Sequence, residues 1–184
     1  MDESFKEKLI QLKAYARIDG LIVGAVMCLS FACMLAGFRN GIMSMFSFVL
    51  MLSVAFTAYY LTVRFRNKIL NGNISFRRAY AYCLYGMLYG ALLLAAFQLI
   101  YFQWFDNGYF VSQYISILQE PVNKDVFAQA GIKDAEIKEI VALLTQMRPI
   151  DMTIQFLTTN IFLSAVVSIV IALFARSADR KHEI

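Results

Sequence analysis

The sequence predicts an all-α membrane protein with four transmembrane helices, both termini in the cytoplasm, and a helical outer segment between spans 3 and 4. Three observations carry that prediction. The 184 residues are 60% hydrophobic and only 16% charged, whereas a soluble domain carries nearer a quarter charged residues to solvate its surface. Mean hydropathy is +0.60. The apolar residues are also gathered into four long runs, and the positive charges between them are unevenly divided.

The first run, residues 18–37, is apolar except for Asp19 at its start. The second, 42–63, the third, 79–104, and the fourth, 153–175, carry no charge. Each is about 20 residues or longer, enough in helical form to cross a hydrocarbon core of roughly 30 Å. A helix satisfies its own backbone hydrogen bonds, which lipid cannot do. A cleaved signal peptide is a poor account of the first run: it is too long and lacks a small-x-small site, and Ser30-Phe31-Ala32 before Cys33 fits a lipoprotein signal badly. The whole chain is thus expected to form a single membrane domain.

Lysine and arginine set the expected orientation. Lys6, Lys8, Lys13 and Arg17 precede the first span; Arg64, Arg66, Lys68, Arg77 and Arg78 lie between the second and third; Arg176, Arg180 and Lys181 follow the fourth. The other side holds only Arg39, Lys124, Lys133, Lys138 and Arg148. The side richer in positive charge is the cytoplasmic one. Tyr101, Phe102, Trp104, Phe105 and Tyr109 then mark the outer interface, and the protein belongs in the bacterial inner membrane. The five basic residues from Arg64 to Arg78 also offer a surface to anionic lipid headgroups, each worth roughly 1 kcal/mol near a charged membrane.

The outer segment, residues 106–152, opens with the turn signal Asp106-Asn107-Gly108. Residues 109–118 suit a short helix ending before Pro121, and Gly131 breaks the chain. Asp134 is the expected N-cap of a further helix, with Glu136 favouring its dipole. Ile137, Ile140, Val141 and Leu144 form a stripe on one face of it. That stripe suits covering the outer ends of the spans, or docking a partner. Pro149 is expected to end this helix.

The third span holds four tyrosines (Tyr80, Tyr82, Tyr85 and Tyr89) beside Gly86 and Gly90. Glycines four apart let another helix backbone approach closely. The first span repeats a small residue at the same step (Gly20, Gly24, Cys28, Ala32 and Ala36), as does the last with Asn160, Ser164, Ser168 and Ala172. We expect these stripes to meet, with packing carried by Gly20, Gly24, Gly86, Gly90, Ser164 and Ser168. Gln98 and Asn160 fall at similar depth on oppositely running helices and are expected to form a polar pair. Tyr80 and Tyr82 suit the inner headgroup zone. Tyr89, ten residues and about 15 Å in from Ala79 at 1.5 Å per residue, needs a hydroxyl partner. The alternative use of the tyrosines is to line a substrate cavity.

Little catalytic chemistry is in view. The lone histidine, His182, sits two residues from the C-terminus, which disfavours histidine triads and histidine-rich metal sites. Cys28, Cys33 and Cys83 form no CxxC pair and read as small apolar fillers. Asp19 suits a salt bridge to Arg64 or Arg176. An enzyme would have to work with tyrosine, serine and the acids Asp19, Asp106 and Asp151.

The run Gly72-Asn73-Ile74-Ser75-Phe76-Arg77-Arg78-Ala79-Tyr80 leads into the third span. A charged helix follows the Gly131-Ile132 step, and Met147-Arg148-Pro149 leads into an aliphatic final span. Over nearly the whole chain this layout resembles a domain-of-unknown-function family of small four-span integral membrane proteins common in Bacteroidota. The resemblance implies no assigned activity and transfers no catalytic residue. It also implies a genomic setting near glycosyltransferases that resemble users of lipid-linked sugars. The chain departs from the family pattern in its less acidic outer helix, interrupted by Lys133 and Lys138, and in a final span without glycine, where Ser164 and Ser168 stand in the region of small residues.

The expected function is that of a non-enzymatic accessory or scaffold subunit of a cell-envelope process. The alternative is a small carrier or binder of lipid or lipid-linked sugar. Neither reading calls for a cofactor or metal. Membrane lipid is the expected partner, with a membrane-protein partner or a homodimer beside it, and no nucleic acid.

Overall fold

A computed structural model describes residues 3–177, with the side chains of residues 3–6, 124 and 125 outside the description. The expectations resting on Lys6, Lys124, Arg180, Lys181 and His182 therefore lie outside the described residues. Within them the chain is helical throughout: α1 (Glu3–Gly37), α2 (Gly41–Ile69), α3 (Phe76–Trp104), α4 (Tyr109–Gln119), α5 (Pro121–Gln129), α6 (Asp134–Gln146) and α7 (Pro149–Ala175). Four of these, α1, α2, α3 and α7, are long and apolar enough to cross a membrane.

The turns follow from local chemistry. Asn40 caps α2 by accepting the Ile42 N–H at 3.0 Å. Asn71 and Gly72 turn the chain after α2 with φ of 50° and 85°, and Asn107 and Gly108 do so after α3 with 45° and 78°. Left-handed backbone of this kind is open to glycine and tolerated by asparagine. Gly131, at φ 81°, separates α5 from α6.

Several expectations need correction. The N-cap of α6 is Lys133, with Asp134 as the first helical residue. Glu136 supplies the cap instead, its Oε2 accepting the Lys133 N–H at 3.1 Å. Pro149 does not end α6, which stops at Gln146. It opens α7, where a proline loses no hydrogen bond. Asp151 reaches back to the Arg148 N–H at 3.1 Å and pairs with the Arg148 Nε at 2.8 Å, closing that first turn. The final helix thus begins four residues earlier than hydropathy suggests. Likewise α2 runs on through its basic end to Ile69. The short helix α5 was not expected; Pro121 starts it, and no apolar period announces it.

The chain divides into two compact units, Met1–Ala95 with Leu157–Ile184, and Ala96–Phe156. In the first, α1 and α2 form a hairpin tied by a reciprocal pair: Ser30 Oγ donates to the Ser47 carbonyl and Ser47 Oγ to the Ser30 carbonyl, both at 3.0 Å. Its core gathers Leu12, Ala16, Phe65, Ile74, Ala79, Tyr82 and Ala172. In the second unit, Phe102, Phe110 and Phe156 pack ring against ring, with centroids 5.5 to 6.1 Å apart.

Candidate functional site

Two places in the structure combine polar side chains with burial or with open space. The first lies among the long helices. Asp19, on α1, is 5% exposed. Its Oδ1 accepts Arg64 Nη2 of α2 at 2.8 Å, and its Oδ2 accepts the Tyr82 hydroxyl of α3. Three helices that are far apart in sequence are thus joined at one carboxylate. A carboxylate removed from water needs both an opposite charge and hydrogen bonds to offset its desolvation, and here it has them. The Tyr82 ring stacks on Phe65 at 4.1 Å between centroids. Beside them is a void of about 10 Å³, lined in part by Asp19, Thr62, Tyr82 and Cys83. That is the lower limit for a single water.

The Tyr82 hydroxyl is therefore turned inward, because the Asp19 carboxylate gives it a partner inside the bundle. Of the others, Tyr85 lies under Lys13, whose Nζ is 5.0 Å from the ring centroid. Tyr89 is half-buried, and the expectation of a hydroxyl partner fails among the described residues. Its β-carbon instead forms a wall against which Gly20 lies.

The glycines come together. A Cβ on Gly20 would stand 2.6 Å from the Tyr89 Cβ and 2.8 Å from the Gly86 carbonyl oxygen. One on Gly24 would stand 3.1 Å from the Gly90 Cα. Further along α1 the stripe changes partner: Ala32 and Ala36 are exposed, and Gly37 lies against Ser44 of α2. On α7, Ser164 and Ser168 are both fully buried. Ser168 Oγ lies 3.8 Å from Met87 Sδ of α3, while Ser164 Oγ has no hydrogen-bond partner among the described residues.

The basic segment is divided between internal and external use. Arg64 holds Asp19, and Arg66 donates from Nη1 to the Ala175 carbonyl at 2.9 Å, closing the C-terminal end of α7. Lys68 and Arg77 are exposed and Arg78 is half-buried, none with an acidic partner among the described residues. Ser177 accepts the Ile74 N–H at 2.9 Å and returns its own N–H to the Ile74 carbonyl at 3.1 Å. This fastens the turn before α3 to the chain after α7.

The second place lies within Ala96–Phe156. A cleft of about 510 Å³ opens there, within the 300–1,000 Å³ usual for small-molecule sites. Phe102, Val111, Ile115, Leu144 and Met152 give it an apolar lining; Gln103, Asn107, Ser112 and Thr145 give it polar groups. Asp106, in its wall, is 3% exposed. It accepts the Phe110 N–H at 2.9 Å, so it orders the start of α4, and also the Tyr101 hydroxyl. Gln98 of this unit is 1% exposed, and its Oε1 has no partner among the described residues. Asn160, in the other unit, is half-buried. Among the described residues no group of three His, Cys, Asp or Glu is placed to hold a metal.

The model of a family described as protein of unknown function (DUF4199) matches residues 19–177. The chain belongs to this family. The match takes in all seven helices, in whole or in part, and begins at Asp19 itself. No curated protein and no solved structure matches this DUF4199 chain.

Sequence reasoning missed several residues of these two places and of the α1–α2 hairpin. Ser30 and Ser47 sit symmetrically about the α1–α2 turn, a signal that could have paired them. Thr62, fully buried with its hydroxyl on the Ala58 carbonyl at 2.8 Å, gave no such sign. The cleft draws on two distant stretches of chain, residues 102–115 and 144–152, and no periodicity announces it.

Proposed function

We propose that this DUF4199 protein is a non-enzymatic accessory protein of the bacterial inner membrane, with both termini cytoplasmic, that holds its α4–α6 segment on the outer side for a membrane-protein partner. One observation carries the reading. In a segment rich in charge, Val122 and Val126, one turn apart on α5, are 72% and 56% exposed, and Leu143 of α6 is 60% exposed. Large apolar side chains left exposed on a polar segment are what an interaction surface requires. The asymmetry of lysine and arginine supports the orientation. The internal pairing of Asp19, Arg64 and Tyr82 supports an anchoring rather than a chemical role for the long helices.

Purification in several mild detergents, with a photocrosslinker in place of Val126, tests the reading. One reproducible adduct, lost in Val122→Asp, is expected. A doubled mass would make the partner a second copy. The absence of any reproducible adduct would remove the proposal.

The second reading is a carrier or binder of lipid or lipid-linked sugar. As a carrier it requires a polar cavity beside the tyrosines of α3. The void of about 10 Å³ there gives a ligand no room. The cleft among α3, α4, α6 and α7 is what favours a binder.

A further inference from the structure

We infer that the cleft within Ala96–Phe156 binds a neutral amphiphile with a hydroxyl-bearing head and a single apolar chain. The inference deepens the second reading and does not depend on the accessory role. It starts from the lining, which is apolar with a few polar groups, as ligand sites are. The polar groups then select the head. Ser112 Oγ donates to the Tyr109 carbonyl at 2.8 Å, and Thr145 Oγ donates to the carbonyls of Val141 and Ala142 at 3.1 and 2.9 Å. Each hydroxyl has one proton, already committed to backbone, so what remains to a ligand is acceptor capacity. A head that donates hydrogen bonds is favoured. The amides of Gln103 and Asn107, both exposed, add donors and acceptors alike.

Charge excludes the other heads. An anionic head would bring its negative charge close to the Asp106 carboxylate in the cleft wall. Its nearest cation in sequence, Arg148, is already held by Asp151 at 2.8 Å. A cationic head finds no open carboxylate, because Asp106 is 3% exposed and both of its known donors are protein groups. The source of the ligand is a membrane rather than water: Trp104 and Phe105, next to the lining residue Gln103, are 67% and 70% exposed. Such aromatics settle at the headgroup level, where amphiphiles are concentrated.

The test uses the full chain in lipid nanodiscs and a monoacylglycerol with a diazirine in its acyl chain, with adducts mapped by peptide mass. Saturable labelling of the peptides holding Ile115 and Leu144 is expected, competed by plain monoacylglycerol. Alkylamine and lysophosphatidate of equal chain length should compete at least about tenfold less well. Ser112→Phe and Thr145→Phe fill the cleft from exposed positions, and each should cut labelling about tenfold while the thermal melt stays unchanged. Should either variant lower the melt, the competition series on the unaltered chain decides alone. Labelling that does not saturate, labelling confined to Met1–Ala95, or strongest competition by a charged amphiphile would each overturn the site. Of these, labelling at the α3 tyrosines or strongest competition by a charged amphiphile would leave a lipid binder of another kind standing, and labelling that does not saturate would not.

Discussion

Gly24 of α1 and Gly90 of α3 face each other so closely that a Cβ on Gly90 would lie 3.0 Å from the Gly24 nitrogen. Backbone meets backbone there, and neither helix can step aside from a neighbour's main chain. The relationship is not symmetrical along the stripe, however. A Cβ on Gly20 would meet the Gly86 carbonyl at 2.8 Å, whereas one on Gly86 would meet only the Ala16 carbonyl at 3.8 Å, ordinary contact.

That asymmetry gives the first prediction. Gly20→Ala and Gly24→Ala overpack the contact and should each cost about 1–3 kcal/mol. Gly86→Ala has room, and by relieving the entropic penalty of glycine in a helix it should be neutral or stabilise by up to about 1 kcal/mol. Thermal melts of the three variants in one detergent check this. Equal losses at Gly20 and Gly86 would contradict the packing described.

The Asp19–Arg64 pair gives the second. Removing one partner of a buried ion pair leaves the other uncompensated, at about 3–5 kcal/mol where burial is complete. Arg64 is 38% exposed along its side chain, so water screens part of that loss and Arg64→Leu should cost less than the full figure. Asp19→Asn combined with Arg64→Leu should lose less than the two single changes together, with a coupling of about 0.5–3 kcal/mol. Additivity in this cycle would show that the two side chains do not act as a unit. Tyr82→Phe keeps the stack on Phe65 and removes only the hydroxyl, so it should cost less than Asp19→Ala.

A third prediction concerns the α1–α2 hairpin. Ser30 and Ser47 exchange hydrogen bonds through side chain and backbone, and Ser30 is 9% exposed. Interhelical bonds of this kind average about 0.6 kcal/mol in membrane proteins. Ser30→Ala and Ser47→Ala should each lose roughly that much, which a denaturant series in mixed micelles resolves. A gain in stability from either change would show that the pair is strained rather than cohesive.

The four long helices were legible because lipid demands about 20 charge-free residues and little else produces such runs. Their true ends were not. Hydropathy measures compatibility with oil, whereas α2 continues to Ile69 and α7 begins at Pro149 through backbone hydrogen bonding and capping, which charge does not interrupt. That Asp19 would pair with a cation was readable, since a lone charge at a span's edge needs one; that it is Arg64 and not Arg176 was not. That Tyr82 would share the same carboxylate was not, because depth along a helix says nothing of azimuth at a separation of 63 residues. The cleft of the second unit was illegible for a similar reason. It depends on where α4 and α6 are set against the end of α3, and α5, which helps to place them, has no apolar period to reveal it.

The basic segment from Arg64 to Arg78 supplies the last prediction, because the structure separates residues that the sequence groups together. Arg66 closes the C-terminus of α7 through the Ala175 carbonyl, a favourable place for a cation beside the negative end of a helix dipole. Arg66→Gln should therefore lower stability. Arg77 is exposed and has no acidic partner among the described residues, so Arg77→Gln with Arg78→Gln should leave the melt nearly unchanged. If this face meets the cytoplasmic leaflet, as we propose, the same double change should weaken retention of anionic lipid by roughly 1 kcal/mol per charge. Native mass spectrometry of the chain released from nanodiscs of mixed phosphatidylglycerol and phosphatidylcholine measures both properties, through bound-lipid number and unfolding voltage. Unchanged retention in the double variant would mean that these arginines set topology alone, and a lowered melt would mean that they too hold the helices together.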